Sequence, residues 1–331
     1  MTSLSLTALP LRVRARVTNP ILLNEHKGSA IRGALFEALR KRSCARLELA
    51  SCHPCELVPV CPISTLVATV DPEWDRGADP PRPLVIDPPL DERVEYAAGD
   101  RFEFGVTVLG SAGRLLPYVV LALGDAGKAG IGRRYQRDGL WTRGRFEVER
   151  VDLANPFSEA AETLYPTDAP SAAQLMFRSP RSPLTSRDLD QALNCHQACN
   201  EINLDFLTPT RLVRKGETLR QFDLIAFLQR LRERLEALER RYGQPDESGA
   251  SCTFHATSLA DHLELVRGDT RWQEVRGYST RQKQAVPLGG FTGSVTLRGD
   301  IAPLLPFLAW GQLTHVGKDA TKGNGWYRLR F

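Results

Sequence analysis

Glycines and lysines alternate near the end of this chain in a pattern suited to holding a phosphate group. The segment THVGKDATKGNG places Gly317, Lys318, Lys322, Gly323 and Gly325 between a short apolar stretch and a final strand. Glycine lets the backbone approach an anion closely, and lysine supplies positive charge. A nucleotide-hydrolase loop is excluded, because Asp319 stands where such a loop has Ser or Thr and a strand follows where a helix should. The segment raises the question of nucleic-acid binding.

Four cysteines form a second group with its own chemistry. Cys44, Cys52, Cys55 and Cys61 follow the spacing C-x7-C-x2-C-x5-C within a proline-punctuated stretch. Four thiolates this close in sequence can surround one tetrahedral metal ion, and a reducing compartment favours metal over disulfides. The spacing predicts structural zinc first and a 4Fe-4S cluster second. His53 could replace one thiolate, and unmetallated cysteines are the alternative.

The bulk composition limits the class of protein. With 331 residues, 42% hydrophobic and 25% charged, the chain can bury the cores of two ordinary domains. It has no apolar run near the ~18 residues of a membrane span and no secretory leader pattern. We therefore expect a cytoplasmic protein without membrane contact. The net charge of +4 and the pI near 8.7 suit a polyanionic partner without requiring one.

The first half reads as strand, helix, strand, strand, helix, strand. Alternation of apolar residues with arginines over 11–17 predicts the first strand. The helical spacing of Ile31, Leu35 and Leu39 predicts an amphipathic helix after His26, with Ser29 as its cap. Further elements are predicted as strands near 84–87 and over 102–108, a helix over 117–123, a glycine-rich loop at 124–134 and a strand over 141–151.

The second half repeats the order βαββαβ. Its predicted elements are strands near 202–207, 272–283 and 293–298, helices over 222–242 and 302–310, and a closing strand over 326–331. The repeat predicts an α+β fold of two tandem ferredoxin-like, or RRM-like, domains. We place them at residues 1–154, with a cysteine-bearing insertion at about 43–90, and at 174–331, with an Ala-, Pro-, Ser- and Thr-rich linker at 155–173.

Several segments resemble the CRISPR-associated endoribonucleases of the RAMP superfamily, which process repeat-containing precursor RNA. The likeness covers most of the chain and rests on HKGSAIRGAL, the cysteine segment, FLTPTRLVRKG, GYSTRQK and THVGKDATKGNGWYRL. The resemblance implies two tandem ferredoxin-like domains and a glycine-rich C-terminal loop that binds RNA. It also implies RNA cleavage without a catalytic metal, leaving a 2′,3′-cyclic phosphate and a 5′-hydroxyl.

That reaction needs a base for the 2′-hydroxyl, a proton for the 5′-oxygen and stabilisation of phosphoryl charge. His26 is predicted as catalytic, because it precedes a helix whose N-terminus can hold a phosphate and coincides with the histidine of many family members. His315 is predicted as a second catalytic residue, with a histidine that ties the loop to its own helix as the alternative. Lys318 is predicted to bind phosphate or stabilise the transition state.

The predicted RNA-binding residues are the basic, aromatic and glycine positions of these segments. They are Lys27 and Arg32 beside the histidine, Arg133 and Arg134 in the first-half loop, Arg211, Arg214, Arg276, Tyr278, Arg281 and Lys283 in the second half, and Gly317, Lys322, Gly323 and Gly325 in the C-terminal loop. Along a strand, alternate residues would project from one face and could meet RNA together.

Two functions follow from these observations. The first is a metal-independent endoribonuclease that cleaves CRISPR precursor RNA within repeats to give mature crRNA. The alternative is a non-cleaving RNA-binding RAMP subunit of a CRISPR effector complex. The expected partners are repeat RNA or crRNA, together with other subunits of an effector complex, and no catalytic metal is expected.

Overall fold

The computed structural model describes residues 4–68, 70, 80–158, 160–165, 182–244, 260–279 and 284–331. The chain divides into two compact units, Leu9–Pro183 and Leu184–Phe331, and the residues up to Ala8 belong to the second unit. Among the described helices, none is both long enough and apolar enough to cross a membrane.

The first unit is a sheet covered by two helices that pack against each other. Its strands are β1 (Ala8–Asn19), β2 (Ile21–Leu22), β3 (Leu84–Asp87), β4 (Glu95–Tyr96), β5 (Arg101–Leu109), β6 (Ile131–Arg137), β7 (Leu140–Ala154) and β8 (Ala161–Tyr165). Its helices are α1 (Lys27–Ser43) and α2 (Leu116–Ala129). The strand order β3-β5-β1-β7 is the ferredoxin-like order, and β6 and β8 both extend the sheet from β7. The predicted fold class is confirmed here.

Strand β1 lies at the centre of this sheet and shows the alternation that its sequence predicts. Val13 and Val17 are fully buried, and they lie opposite Val151 and Phe146 of β7. The arginines between them face the other way, and Arg16 pairs with Glu147 at 2.7 Å. Burial of one apolar row and solvation of one charged row fixes the register of the strand.

The prediction of a glycine-rich loop at 124–134 is wrong. Helix α2 continues to Ala129 and β6 begins at Ile131, so only Gly130 separates the two elements. Gly127 is needed where the helix meets the sheet, because a Cβ there would lie 2.3 Å from the carbonyl oxygen of Phe146. The glycines of this segment therefore serve packing and a tight helix end, not a phosphate cradle.

The second unit repeats the architecture. Its strands are β9 (Glu201–Thr210), β10 (Leu212–Arg214), β11 (Glu217–Leu219), β12 (Leu263–Gln273), β13 (Arg276–Ser279), β14 (Gln284–Pro287), β15 (Gly290–Gly299) and β16 (Tyr327–Arg330). Its helices are α3 (Ser186–Leu193), α4 (Leu224–Tyr242) and α5 (Leu305–Thr314). The order β12-β15-β9-β16 is again ferredoxin-like. Helices α4 and α5 contact each other, and α5 also contacts β16.

Two predicted boundaries differ from the structure. The strand predicted over 272–283 is replaced by β12 in the main sheet and by the separate hairpin β13–β14. In the range predicted as a linker, 161–165 form β8 on the edge of the first sheet, and 166–181 lie outside the described residues. Ala8 pairs with Leu184, which joins the first residues to the second unit.

Candidate functional site

His26 caps helix α1. Its Nδ1 accepts a hydrogen bond from the backbone N–H of Ser29 at 3.2 Å and lies 2.9 Å from the Ser29 hydroxyl. The cap is therefore His26, and Ser29, the predicted cap, is the residue that donates to it. A backbone N–H can only donate, so Nδ1 is the acceptor and the neutral ring carries its proton on Nε2. The side chain is 8% exposed, at the positive end of a 17-residue helix.

Lys27 is buried and paired instead of being free to contact RNA. Its Nζ donates to the carbonyl oxygen and to Oδ1 of Asp91 and lies 5.7 Å from the centre of the Tyr96 ring. Only 5% of the Lys27 side chain is exposed. The burial and the ion pair argue against an RNA contact, because the ammonium would have to give up the partner that stabilises it in its buried position. The predicted contact of Lys27 with RNA stays a prediction.

Asp91 holds this cluster together. Its carboxylate accepts a hydrogen bond from the Tyr96 hydroxyl at 2.7 Å and from Arg93 at 3.0 Å, in addition to Lys27. Burial alone raises the pKa of the Asp91 carboxyl, but the bonds from Lys27, Tyr96 and Arg93 outweigh it and lower the pKa below its ordinary value. Burial and the bond to Asp91 raise the pKa of the Tyr96 phenol. The cluster anchors the first residue of α1.

The C-terminal glycine loop is packed on its own unit. The backbone N–H of Lys318 donates to Arg211 O at 3.0 Å, and that of Gly325 donates to Pro209 O at 3.1 Å. A Cβ on Gly325 would lie 1.8 Å from the Val316 carbonyl oxygen. Gly317, Gly323 and Gly325 all have positive φ. The folding of the loop itself therefore requires these glycines, and their contact with RNA stays a prediction.

His315 lies inside this loop and is fully buried. Its ring stacks on Trp326 with 5.8 Å between centroids and 13° between planes, and its backbone ends α5 with φ +58°. An imidazole in this position cannot reach RNA without unfolding the loop. The burial of His315 favours the alternative of a histidine that ties the loop to its helix, and a catalytic role for His315 stays a prediction.

The two lysines of the loop differ in their surroundings. Lys318 is exposed, whereas the Lys322 ammonium pairs with Asp319 at 2.8 Å. Asp319 also pairs with Arg211 at 2.7 Å, and Arg211 donates to Pro287 O at 2.8 Å. Arg211 was predicted to bind RNA. In the structure its guanidinium links Asp319 of the loop to the carbonyl oxygen of Pro287 in β14. Lys318 is the loop cation best placed to meet a ligand.

The other predicted RNA-binding residues fall into three groups. Arg32 donates to Val67 O at 3.0 Å and Arg214 pairs with Asp223 at 3.2 Å, so both have structural partners. Arg133, Arg134 and Arg276 are exposed. Tyr278 lies on β13, and Arg281 and Lys283 lie outside the described residues. The structure brings His26 and Lys27 together in one unit and Lys318 and Lys322 together in the other.

The four cysteines lie in a segment of turns after α1. None of the residues from Cys44 to Cys61 is buried, and the four cysteines are among the least exposed of them. Burial raises the pKa of the Cys52 thiol, and the neighbouring thiols of Cys61, Cys44 and Cys55 raise it further. Among the described residues, however, no three His, Cys, Asp or Glu side chains have the geometry of a metal site. The thiols are neighbours but do not form a ligand set.

Sequence reasoning missed Asp91 and Asp319, the two carboxylates that organise the lysines. Asp91 lies 64 residues from Lys27, and nothing in the local pattern connects them. In the sequence, Asp319 served only to exclude a nucleotide-hydrolase loop, because it replaces the Ser or Thr of such a loop. Its position one residue after Lys318 and three before Lys322 is a local signal, since such spacing allows an ion pair.

Two sequence models of protein families match the chain. The AF_1859 N-terminal domain matches residues 6–176, and the CRISPR-associated endoribonuclease Cas6 matches residues 204–327. No curated protein sequence matches the chain.

Solved structures of Cas6 proteins share the fold over nearly the whole chain. A Cas6 product complex has a TM-score of 0.55 at 15% identity, covering 98% of this chain and 99% of the other. Thermus thermophilus Cas6 has a TM-score of 0.53 at 15% identity, with coverages of 98% and 99%. A partial Cas6-RT-Cas1–Cas2 complex has a TM-score of 0.54 at 17% identity, covering 98% of this chain and 46% of the other.

Two tandem ferredoxin-like domains with a glycine-rich turn before the last strand are the fold that this chain shares with the solved Cas6 structures. The chain belongs to the AF_1859 N-terminal domain family through residues 6–176, and residues 204–327 match the model of the CRISPR-associated endoribonuclease Cas6. The resemblance found in the sequence is confirmed.

Proposed function

We propose that this protein is an endoribonuclease that cleaves CRISPR precursor RNA within its repeats. The 2′-hydroxyl loses its proton and attacks the adjacent phosphorus while the bond from phosphorus to the 5′-oxygen breaks. The products are a 2′,3′-cyclic phosphate and a 5′-oxygen that takes up a proton to become a 5′-hydroxyl. The observation that carries the proposal is His26 at the N-terminus of α1, in a chain with a Cas6 endoribonuclease domain. A helix N-terminus favours a phosphate through its backbone N–H groups and its dipole.

The cap of α1 suggests how His26 would act. In the structure Nδ1 is occupied by the Ser29 N–H. We infer that the RNA phosphate takes over this N–H as it binds, because an anion is a better acceptor at a helix N-terminus than a neutral imidazole. Nδ1 is then free to accept the proton of the 2′-hydroxyl as general base. The ring becomes an imidazolium beside the phosphoryl group, whose added negative charge it stabilises.

The loop of the second unit is proposed to bind the RNA backbone through Lys318. Its ammonium is exposed, whereas Lys322 is tied to Asp319. Repeat RNA or crRNA is the proposed partner. Other CRISPR proteins are proposed as further partners, in keeping with the Cas6-RT-Cas1–Cas2 complex whose Cas6-like part shares this fold.

The test uses repeat RNA labelled at its 5′ end and incubated with the protein in EDTA. We expect one cleavage per repeat and a product that ends in a cyclic phosphate. A 2′-deoxy nucleotide at the mapped cleavage position should abolish cutting while binding persists. Cleavage that requires added metal, or that survives the deoxy substitution, would contradict the proposal.

A non-cleaving RNA-binding subunit is the second candidate function. It is favoured by the burial of His315 and by the use of the His26 Nδ1 as a helix cap, because both histidines predicted as catalytic would have to rearrange before they could act. The same assay separates the candidates. Tight binding of the repeat without any cleavage would establish the second and exclude the first.

For the cysteine segment we propose a structural metal, with zinc as first choice and a 4Fe-4S cluster as alternative. The donors suit either, since both prefer thiolates, and Cys52 has the other three thiols as neighbours. The thiols would have to draw together to bind one ion. Elemental analysis of protein purified without oxygen should give one zinc, or four iron, per chain. Protein that contains neither metal while all four thiols titrate freely would contradict the proposal.

A further inference from the structure

The hairpin of β6 and β7 concentrates positive charge. Between Ile131 and Phe146 the chain has five arginines and one aspartate, a charge of +4 that equals the formal net charge of the whole protein. The arginines are Arg133, Arg134, Arg137, Arg143 and Arg145. Arg137 lies 3.8 Å from Asp138. The other four form no ion pair with a carboxylate of the described residues. The hairpin thus carries charge that no carboxylate in the described part of the chain neutralises.

Three arginines elsewhere on the same sheet are paired with glutamates. Arg14 lies 2.8 Å from Glu103, Arg16 lies 2.7 Å from Glu147, and Arg101 lies 2.8 Å from Glu149. These pairs stand on β1, β5 and the body of β7, where each strand faces an acidic neighbour. The acidic neighbours stop where the hairpin extends past the sheet, so its charge is a local feature and not a property of the whole face.

The hairpin has a defined shape. Asp138 and Gly139 have φ values of +51° and +77°, the two left-handed residues that a two-residue type I′ turn needs. Arg137 pairs with Leu140 across this turn. Behind the turn, Gln136 faces Trp141, whose side chain is 67% exposed. The Trp141 indole is therefore exposed to solvent, and the pairing of the hairpin sets its position along β7.

Strand alternation assigns the exposed residues to one face. Phe146 of β7 is 3% exposed and contacts α2 at Gly127, so its side of the strand is the side of the helices. Trp141, Arg143 and Arg145 have the opposite parity and lie on the helix-free side, about 6.8 Å apart along the strand. RRM-type domains bind single-stranded RNA on the helix-free face of a comparable sheet, with aromatic rings stacked on bases.

We propose that Trp141, Arg143 and Arg145, with Arg134 on the same face of the neighbouring strand, bind a single-stranded segment of RNA. The inference deepens the proposed function, on which it rests for the identity of the polyanion. The indole offers a surface for an unpaired base, and the guanidinium groups bind the phosphates on either side. A duplex keeps its bases stacked on one another, so it offers this tryptophan nothing to stack on.

The experiment measures dissociation constants by fluorescence anisotropy for two probes, an unstructured 20-nucleotide RNA and a blunt RNA duplex. Trp141→Ala should weaken binding of the single strand about tenfold or more, and Trp141→Phe should restore most of it. The duplex should be affected much less. Replacing Arg143 and Arg145 by alanine should lower the slope of log Kd against log salt by about 1.4 for the single strand.

A matched control lies on the same sheet. Replacing Arg14 and Arg16, which are paired with Glu103 and Glu147, removes the same charge and should change binding little. Unchanged single-strand affinity in the Trp141→Ala variant, or an equal loss in the control, would overturn the inference. Failure of the proposed function is distinguishable, because a protein that never cuts repeat RNA can still bind the single strand through this hairpin.

Discussion

Lys27 and Asp91 form an ion pair at the first residue of helix α1, directly after the histidine that caps the helix. The lysine side chain is 5% exposed and the aspartate side chain 34%. An ammonium this deeply buried is stable only with its partner in place. The pair therefore fixes where α1 begins, and with it the position of His26.

Asp91→Asn should destabilise the protein, because the Lys27 ammonium would stay buried without a counter-charge. We expect a loss of about 2 kcal/mol in the free energy of unfolding, below the range for a fully buried pair because Asp91 is partly exposed. Urea denaturation measures it. Tyr96→Phe keeps the ion pair and removes one hydrogen bond, so it should cost only about 1 kcal/mol. Equal losses for the two variants would argue against the buried pair.

The same carboxylate should make stability depend on pH. The pKa of Asp91 is lowered in the folded protein, chiefly by hydrogen bonds that overcome burial. Its stabilising contribution is therefore complete above the unfolded value of about 3.9 and is lost as the pH falls through the folded value. The stability difference between the wild type and Asp91→Asn should shrink below about pH 4. A difference that stays constant down to pH 2 would contradict this assignment.

Substitutions of His26 can separate capping from chemistry. Asparagine is a good N-cap, so His26→Asn should keep α1 capped and leave the melting temperature close to that of the wild type. It lacks the imidazole, and cleavage should fall at least a hundredfold. His26→Ala should lose both, with an added cost of about 1 kcal/mol in stability. If His26→Asn cleaves repeat RNA at the normal rate, His26 is not the base.

Gly325→Ala should disrupt the C-terminal loop. The residue has φ +72°, and a Cβ would lie 1.8 Å from the Val316 carbonyl oxygen. The clash and the left-handed backbone together should cost at least about 2 kcal/mol. Gly33→Ala is the matched control, because it lies exposed in α1 with nothing within 4 Å of a new Cβ. It should stabilise the protein by about 0.5–1 kcal/mol. Thermal denaturation compares the two.

Lys318→Ala and Lys322→Ala should differ in their effect on RNA. Removing the exposed ammonium of Lys318 should weaken binding and lower the salt dependence by about one phosphate contact. Lys322 is paired with Asp319, and its loss should change the stability of the loop more than the affinity. Dissociation constants at several salt concentrations test this. A larger salt effect for Lys322 than for Lys318 would reverse the assignment.

Local patterns predicted the elements but not their partners. Helix α1 follows from the spacing of Ile31, Leu35 and Leu39, which are all buried, and β1 follows from its alternation. Strand β12 was misplaced because most of its residues are exposed and carry no apolar period. The fate of each lysine and of His315 depended on residues distant in sequence or on the folding of a whole loop. Contacts between residues distant in sequence, such as Lys27–Asp91, leave no periodic signal, whereas the Lys322–Asp319 pair has a local one in its i,i+3 spacing.

The first residues of the chain complete the second unit. Ser5 N–H donates to Glu239 of α4 at 2.7 Å, and the Leu4 carbonyl accepts from the Ser186 hydroxyl at 2.7 Å. The Ser186 hydroxyl in turn accepts from the Trp310 indole at 3.1 Å. A recombinant fragment cut between the two halves would separate the second unit from a segment that packs in its own core. Dissecting the protein for expression therefore calls for a circular permutant that carries residues 1–8 onto the second half.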